Sequence, residues 1–258
     1  MSKELGLPVV EADRTAVEQQ PEELFFEPVL KSGATVALLI VGDPFSATTH
    51  SDLTARADEL GVPLTVYHNA SIMNAAGVTG LQLYRFGQTV SIPFFKENWR
   101  PHSFATKIRA NVEADLHTMC LLDIKVKEQT DENLLRNRPI FEPPRFMSIS
   151  QAARQLLESH RVLGEEVVGY SPNTTVVAVA RVGSRDQLLA SMSLSAAAGF
   201  DAGLPLHTLL LCSSLHVMEE GAVKRVRLSE EAERECVERG KALGDLGESG
   251  GESEDESE

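Results

Sequence analysis

The run Thr35-Val-Ala-Leu-Leu-Ile-Val41 constrains the fold more than any other stretch of this chain. It is continuously apolar, rich in β-branched residues, and stopped by Gly42-Asp43-Pro44. A strand with one face in water alternates apolar and polar residues. An unbroken apolar run reads as a strand covered on both faces, as in a parallel sheet between helices. Helix-like sequence follows over 47–60 and closes at Gly61, a C-cap residue type. Leu64-Thr-Val-Tyr-His68 is a second predicted strand, and Ser71 opens another helical segment. Strand, helix, strand, helix is the order of an α/β layer. Upstream, residues 8–12 are a predicted short strand and 15–24 a loose helix.

The same alternation continues. Strands are predicted at 90–95, 117–126, 175–180, 188–195 and 207–212, with a helical alternative open at 188–195. Helices are predicted at 103–116, from Ser148, and over the charged stretch 219–243. Ser148 with Gln151 three residues on is a capping-box pattern. The polar, proline-containing stretch after residue 127 reads as a linker. The organisation expected is therefore an N-terminal α/β domain over 1–127, a linker over 128–147, a C-terminal α/β domain over 148–243, and a disordered acidic tail over 244–258.

The tail expectation comes from charge. The chain carries a formal net charge of −14, and residues 244–258 hold seven acids and no base, leaving a body near −7. Such a segment has too little apolar surface to offset the entropy of ordering. A negative body does not suit a nucleic-acid backbone. No apolar run is long enough to span a membrane. The start has neither a signal-peptide core nor the acid-poor character of a presequence, so a cytoplasmic location is expected. Cys120, Cys212 and Cys236 lack metal-ligand spacing and read as small buried hydrophobes. No metal cluster is readable.

In an open α/β sheet ligands bind beyond the carboxyl ends of strands. Asp43 stands there, able to accept from a ligand amine or hydroxyl, or equally to start a turn before Pro44 or cap the next helix. Asn69 to Asn74 follows the next predicted strand and offers a helix start that could bind a polar ligand edge. A helix cap by Asn69 or Ser71 is the alternative there. His207 and His216 flank the last predicted strand, where a structural role competes with a ligand role. No Ser-His-Asp order and no phosphate loop is present.

Whole strings say more. Val-Gly-Asp-Pro-Phe-Ser-Ala-Thr-Thr-His-Ser-Asp-Leu (41–53) and His-Asn-Ala-Ser-Ile-Met-Asn-Ala (68–75) resemble the signature of the diphthine synthase family. Gly80-Leu-Gln-Leu-Tyr84, Cys120-Leu-Leu-Asp-Ile-Lys-Val-Lys-Glu-Gln129, Glu142-Pro-Pro-Arg-Phe-Met147, Ala180-Arg-Val-Gly183 and Gly203-Leu-Pro-Leu-His207 resemble further family segments, in the same order. The resemblance runs from about residue 8 to about residue 216. Residues 217–258 have no counterpart in it.

This family belongs to the tetrapyrrole-methylase-like methyltransferases. The resemblance implies two α/β domains of that type, a cofactor cleft between them, and a homodimer. It implies transfer of methyl groups from S-adenosyl-L-methionine to the aminocarboxypropyl-modified histidine of translation elongation factor 2, a step of diphthamide biosynthesis. The strings look closer to members that also make the methyl ester. Carried over by position, the cofactor contacts are Asp43, Ser46, Ser71, Ile72, Leu122, Val182 and His207. No residue is nominated as catalytic base. The family usually has glycine at the position of Ser46, so a side chain there would crowd the cofactor if the backbone approaches closely or needs a positive φ; serine is small, and weakened binding at most is expected.

One departure is large. Family members begin with a strand, a Leu-Gly-rich turn and a helix before the segment matching Leu7 to Asp13, and about forty residues have no equivalent here. A misassigned start, a shortened form and a noncatalytic relative each account for this. The competing functions are a noncatalytic partner of elongation factor 2 or of a full-length subunit, and a methylase of the superfamily acting on a tetrapyrrole or RNA. The Asn-Ala-Ser-Ile-Met string and the acidic balance count against the last.

Overall fold

The computed structural model describes residues 6–136 and 138–248. They fall into two units, divided between Asn74 and Ala75.

In the first unit, Asp13 caps the helix Arg14–Gln19 by accepting from the Ala16 N–H at 2.9 Å. Pro21 starts a π turn, Glu22–Phe26, which leads into the helix Glu27–Ser32. Arg56, on the helix Ser51–Glu59, pairs with Asp52 one turn back at 2.6 Å and with Glu22 of the π turn. The strands expected at 35–41 and 64–68 do not form: both segments lack assigned secondary structure. The physical reason is the absence of a ladder. Among the described residues no strand pairs with either, and Leu39, Val41, Leu64 and Tyr67 are exposed. An apolar run becomes a strand only when a neighbour takes its N–H and C=O groups. The segment 8–12 is likewise not a strand.

The second unit is built on a five-stranded sheet. Its strands are β1 (Val90–Ile92), β2 (Thr118–Leu122), β5 (Thr175–Ala180), β6 (Leu188–Ser193) and β7 (His207–Leu211). A separate ladder pairs β3 (Ile124–Lys125) with β4 (Arg145–Phe146). The main sheet runs β1-β2-β7-β5-β6, with β1 parallel to β2 and every other pair antiparallel. β2 and β7 are almost wholly buried, since each has neighbours on both edges. The helices Ser103–Glu113 and Ile149–Leu163 bury Ile108, Ile149, Ala153 and Leu156 against Ile92, Val176, Met192 and Leu209. Each of these isoleucine, leucine, valine and methionine side chains contributes about 1.5–3 kcal/mol by leaving water. Ser148 caps the second of these helices, accepting from the Gln151 N–H at 3.1 Å.

The predicted strand 117–126 divides at Asp123 into β2 and β3, which serve different ladders. The segment expected to be a linker lies within the second unit and carries the helix Asp131–Leu135 and β4. The helix Glu230–Glu248 extends past residue 243, and the remainder of the expected tail lies outside the described residues. Gly199 packs backbone-to-backbone on that helix: a Cβ there would sit 2.0 Å from the Cys236 carbonyl and 2.5 Å from the Gly240 nitrogen. No helix among the described residues is long and apolar enough to cross a membrane.

Candidate functional site

The first unit holds four of the expected contacts. Gly42, with φ at 91°, turns the chain so that Asp43 faces back over the following loop. Asp43 Oδ1 accepts from the Phe45 N–H at 2.9 Å and from Ser46 Oγ at 3.3 Å. Its Oδ2 meets His68 Nδ1 at 3.0 Å and accepts from the Asn69 N–H at 3.2 Å. The Phe45 N–H foremost, then His68 and Asn69, hold the carboxyl down to about 2 against the cost of burial. Asp43 is therefore an anion at every physiological pH. Four donors fill the lone pairs of a carboxylate. A ligand donor reaching Asp43 must replace one, and His68, with its side chain 72% exposed, is the partner most easily displaced.

Ser46 is not the residue in the left-handed region. Ala47 is, with φ at 55°. Ser46 keeps ordinary backbone geometry and spends its hydroxyl on Asp43. Ser71 Oγ accepts from the Met73 N–H at 3.1 Å, and its own N–H donates to Asn74 Oδ1 at 3.0 Å. Ser71 thus caps the short helix Ile72–Ala75, which Ile72 opens. A hollow of about 430 Å³ lies beside this loop, between 47–50 and the helix Arg14–Gln19.

In the second unit, strand register brings the other three contacts to one end of the sheet. Leu122 ends β2, one residue beyond the Leu121–Thr208 pair. Ala180, which ends β5, pairs with His207, which opens β7. Val182 lies in the turn that follows. Arg181, with φ at 48°, fixes that turn by donating to the Ala202 carbonyl at 2.7 Å and pairing with Asp186 at 2.7 Å.

His207 has the most telling geometry. Its Nε2 is 2.9 Å from the Leu204 carbonyl, which can only accept, so Nε2 carries the proton. Burial lowers its pKa, despite the opposing hydrogen bond to Leu204. The neutral ring then leaves Nδ1 as an acceptor, and this atom is buried without a partner among the described residues. Buried acceptors of this kind are uncommon and mark a place where a donor is wanted.

A second cluster went unread in the sequence. His117 and Glu219 are both fully buried and meet at 3.2 Å, Nε2 to Oε1. Glu219 also accepts from the Gln82 N–H at 2.9 Å, the His216 N–H at 2.8 Å and Arg85 Nη1 at 3.0 Å. Burial pushes the Glu219 carboxyl up, but these donors outweigh it and leave it lowered. His117 Nδ1 accepts from the Ser213 N–H at 3.0 Å, which fixes the tautomer. The cluster stands at the start of β2 and just past the end of β7, opposite the end that holds Leu122 and His207. The only sequence signal was a glutamate at the third position after His216, the far member of a capping box. The cysteines are inert: burial pushes the Cys120 thiol up strongly and that of Cys212 up to about 12.

The mixed α/β sheet brings Leu122, Val182 and His207 to one end, and comparison with known proteins gives the class to which such a fold belongs here. The model for the tetrapyrrole (corrin/porphyrin) methylases matches residues 7–198, and the chain belongs to that family of methyltransferases. Within it, the chain is 51% identical over 218 residues to the diphthine methyl ester synthase of Mus musculus, covering 83% of this chain and 76% of that one. The Homo sapiens diphthine methyl ester synthase matches at 51% over 218 residues, with 83% and 75% covered. A solved chain from Entamoeba histolytica superposes with a TM-score of 0.73 at 39% identity, covering 88% of this chain and 81% of that one. A solved diphthine synthase does so at 0.68 and 28% identity, covering 91% and 81%.

Proposed function

We propose that this chain methylates the aminocarboxypropyl-modified histidine of translation elongation factor 2, giving diphthine methyl ester in diphthamide biosynthesis. The observation that carries the reading is the 51% identity to diphthine methyl ester synthases across 83% of the chain. The noncatalytic alternative finds no such support.

S-adenosyl-L-methionine, when bound, supplies a methyl group already activated on a sulfonium. The chain's own residues have to hold donor and acceptor aligned, which can lower a barrier by several kcal/mol on its own, about 7–11 kcal/mol at best. His207 Nδ1 offers a buried acceptor for a hydroxyl or amino group, and this fits a nucleoside edge. Leu122 and Val182 supply apolar surface at the same sheet end. Asp43, Ser46, Ser71 and Ile72 complete the cofactor set, with the Asp43 anion suited to an amine or ribose hydroxyl. The acceptor amine must lose a proton before attack, and no side chain is assigned that task. A cytoplasmic homodimer acting on a protein substrate completes the reading.

Labelled methyl from S-adenosylmethionine should pass to elongation factor 2 bearing the unmethylated aminocarboxypropyl-histidine, and not to the factor lacking it. Bound cofactor with no transfer to the modified factor would overturn the reading.

A further inference from the structure

The family motifs Asp123-Ile-Lys125 and Pro144-Arg-Phe146 play no part in the cofactor set, yet the β3–β4 ladder sets Lys125 directly opposite Arg145. With Phe94, Phe95, Lys96, Phe146 and Gln151 they wall a hollow of about 320 Å³. Three cations line it and no carboxylate does.

The hollow is held firmly. The Phe94 N–H donates to Asp123 Oδ2 at 3.1 Å, and the Phe95 N–H to Gln155 Oε1 at 3.3 Å. Gln155 Nε2 donates to the Pro93 carbonyl at 2.6 Å, and Lys96 and Trp99 exchange backbone bonds at 3.0 and 3.2 Å. Arg145 lies over the Phe94 ring at 5.6 Å. Two of the cations are partly satisfied: Lys125 meets Glu128 at 2.9 Å, and Arg145 is 3.6 Å from Glu142. Lys96 has no ion pair among the described residues. The net effect is one uncompensated positive charge with spare donors, suited to one small anion rather than a polyanion, which the acidic body would repel.

The place is informative too. Phe94 to Lys96 follow β1, and Lys125 follows β2 three residues after Leu122, so the hollow opens at the sheet end that carries Leu122, Val182 and His207. Its phenyl walls suit an imidazole ring.

Resting on the function proposed above, we propose that this hollow is the acceptor subsite: its cations hold the carboxylate of the aminocarboxypropyl arm, and its phenylalanines flank the imidazole. Lys96 is a specificity-determining residue in this account. Ion pairing of the carboxylate orients the arm and leaves the neighbouring amine free to act as nucleophile, and the ester methyl is added after the carboxylate has left these cations.

The same carboxylate chemistry occurs in the methionine moiety of the cofactor, so the test measures both. Lys96→Met, Lys96→Arg and Arg145→Met are compared with the unaltered chain. KM for elongation factor 2 carrying aminocarboxypropyl-histidine and Kd for S-adenosylmethionine are determined for each. Lys96→Met should raise KM about tenfold or more, the size of one charge-assisted hydrogen bond. Arg145→Met should do the same, Lys96→Arg should recover most of the loss, and cofactor Kd should stay within about twofold. An unchanged KM in both methionine variants would overturn the inference while leaving the methyltransferase reading intact. A weakened cofactor Kd at constant KM would overturn it by assigning the hollow to the cofactor. No transfer by the unaltered chain would overturn the functional reading and this inference together.

Discussion

Replacing Glu219 with alanine should destabilise the second unit by about 3–5 kcal/mol, the range for removing one partner of a buried ion pair. The structure says where the loss comes from. Four donors converge on this carboxylate: Gln82 N, Arg85 Nη1, His117 Nε2 and His216 N. Arg85 retains Asp115 at 2.8 Å, and His216 lies near solvent, so neither is stranded. The His117 N–H is stranded outright, since the ring is fully buried and its other nitrogen is committed to Ser213. An orphaned buried donor costs about 1–3 kcal/mol, the lost helix cap adds about 1 kcal/mol, and the half-buried Gln82 N–H loses its acceptor as well. Glu219→Gln keeps one acceptor oxygen and the side-chain shape, so it should cost less, about 1–3 kcal/mol. Urea unfolding followed by fluorescence of Trp99 measures both, with the midpoint shift read at constant slope. Because the cluster is at the far end of the sheet from His207, KM and kcat of the folded Glu219→Gln protein should not change. An alanine variant within about 1 kcal/mol of the unaltered protein, or a glutamine variant as damaging as alanine, would refute the account of four convergent donors.

Acidification should weaken the fold from about pH 6.5 downward. Burial lowers the pKa of both His117 and His207, unfolding returns each to about 6.5, and the unfolded chain therefore binds more protons as pH falls. A Tm that is flat between pH 7.5 and 5.5 would contradict this. Gly199→Ala should cost about 2 kcal/mol or more, because the new methyl would overlap the backbone of the helix Glu230–Glu248. Denaturant midpoints read it directly, and a neutral result would mean that this crossing is looser than described. His207→Phe should weaken S-adenosylmethionine about tenfold by removing the Nδ1 acceptor, measured by calorimetry. Asp43→Asn should weaken it similarly, since an amide group would face the Asn69 N–H. Unchanged affinity in either variant would remove that residue from the cofactor set.

Legibility followed where the controlling forces were local. Thr175 to Ala180 is a strand with the predicted bounds because its β-branched run has neighbours on both edges. Ser148 was readable as a cap because the bond it makes lies three residues away. Residues 35–41 have the same apolar character and no ladder, because strand formation depends on a partner that a local pattern does not contain. The split of 117–126 at Asp123 was hidden for the same reason: β2 follows β1 and β7, while β3 follows β4. His207 entered through resemblance, and only the geometry revealed its unpaired nitrogen. Glu219 opens the charged stretch predicted as a helix, and its burial depends on Gln82, Arg85 and His117, far away in sequence. Lys125 and Arg145 belong to segments that resemble the family, but their apposition is a product of ladder register.

The position of β7 bears on how the molecule is made. Among the described residues it is the last strand in sequence, yet it lies between β2 and β5, so during synthesis β1–β2 and β5–β6 exist as two half-sheets, each with a bare inner edge. Bare apolar edges are templates for pairing with other chains. A ribosome that stalls before His207 would release a product with two adhesive seams, and the arrival of five residues, His207–Leu211, closes both at once. Synthesis past that point, rather than the speed of any local step, decides whether the nascent chain is a substrate for chaperones or a finished sheet.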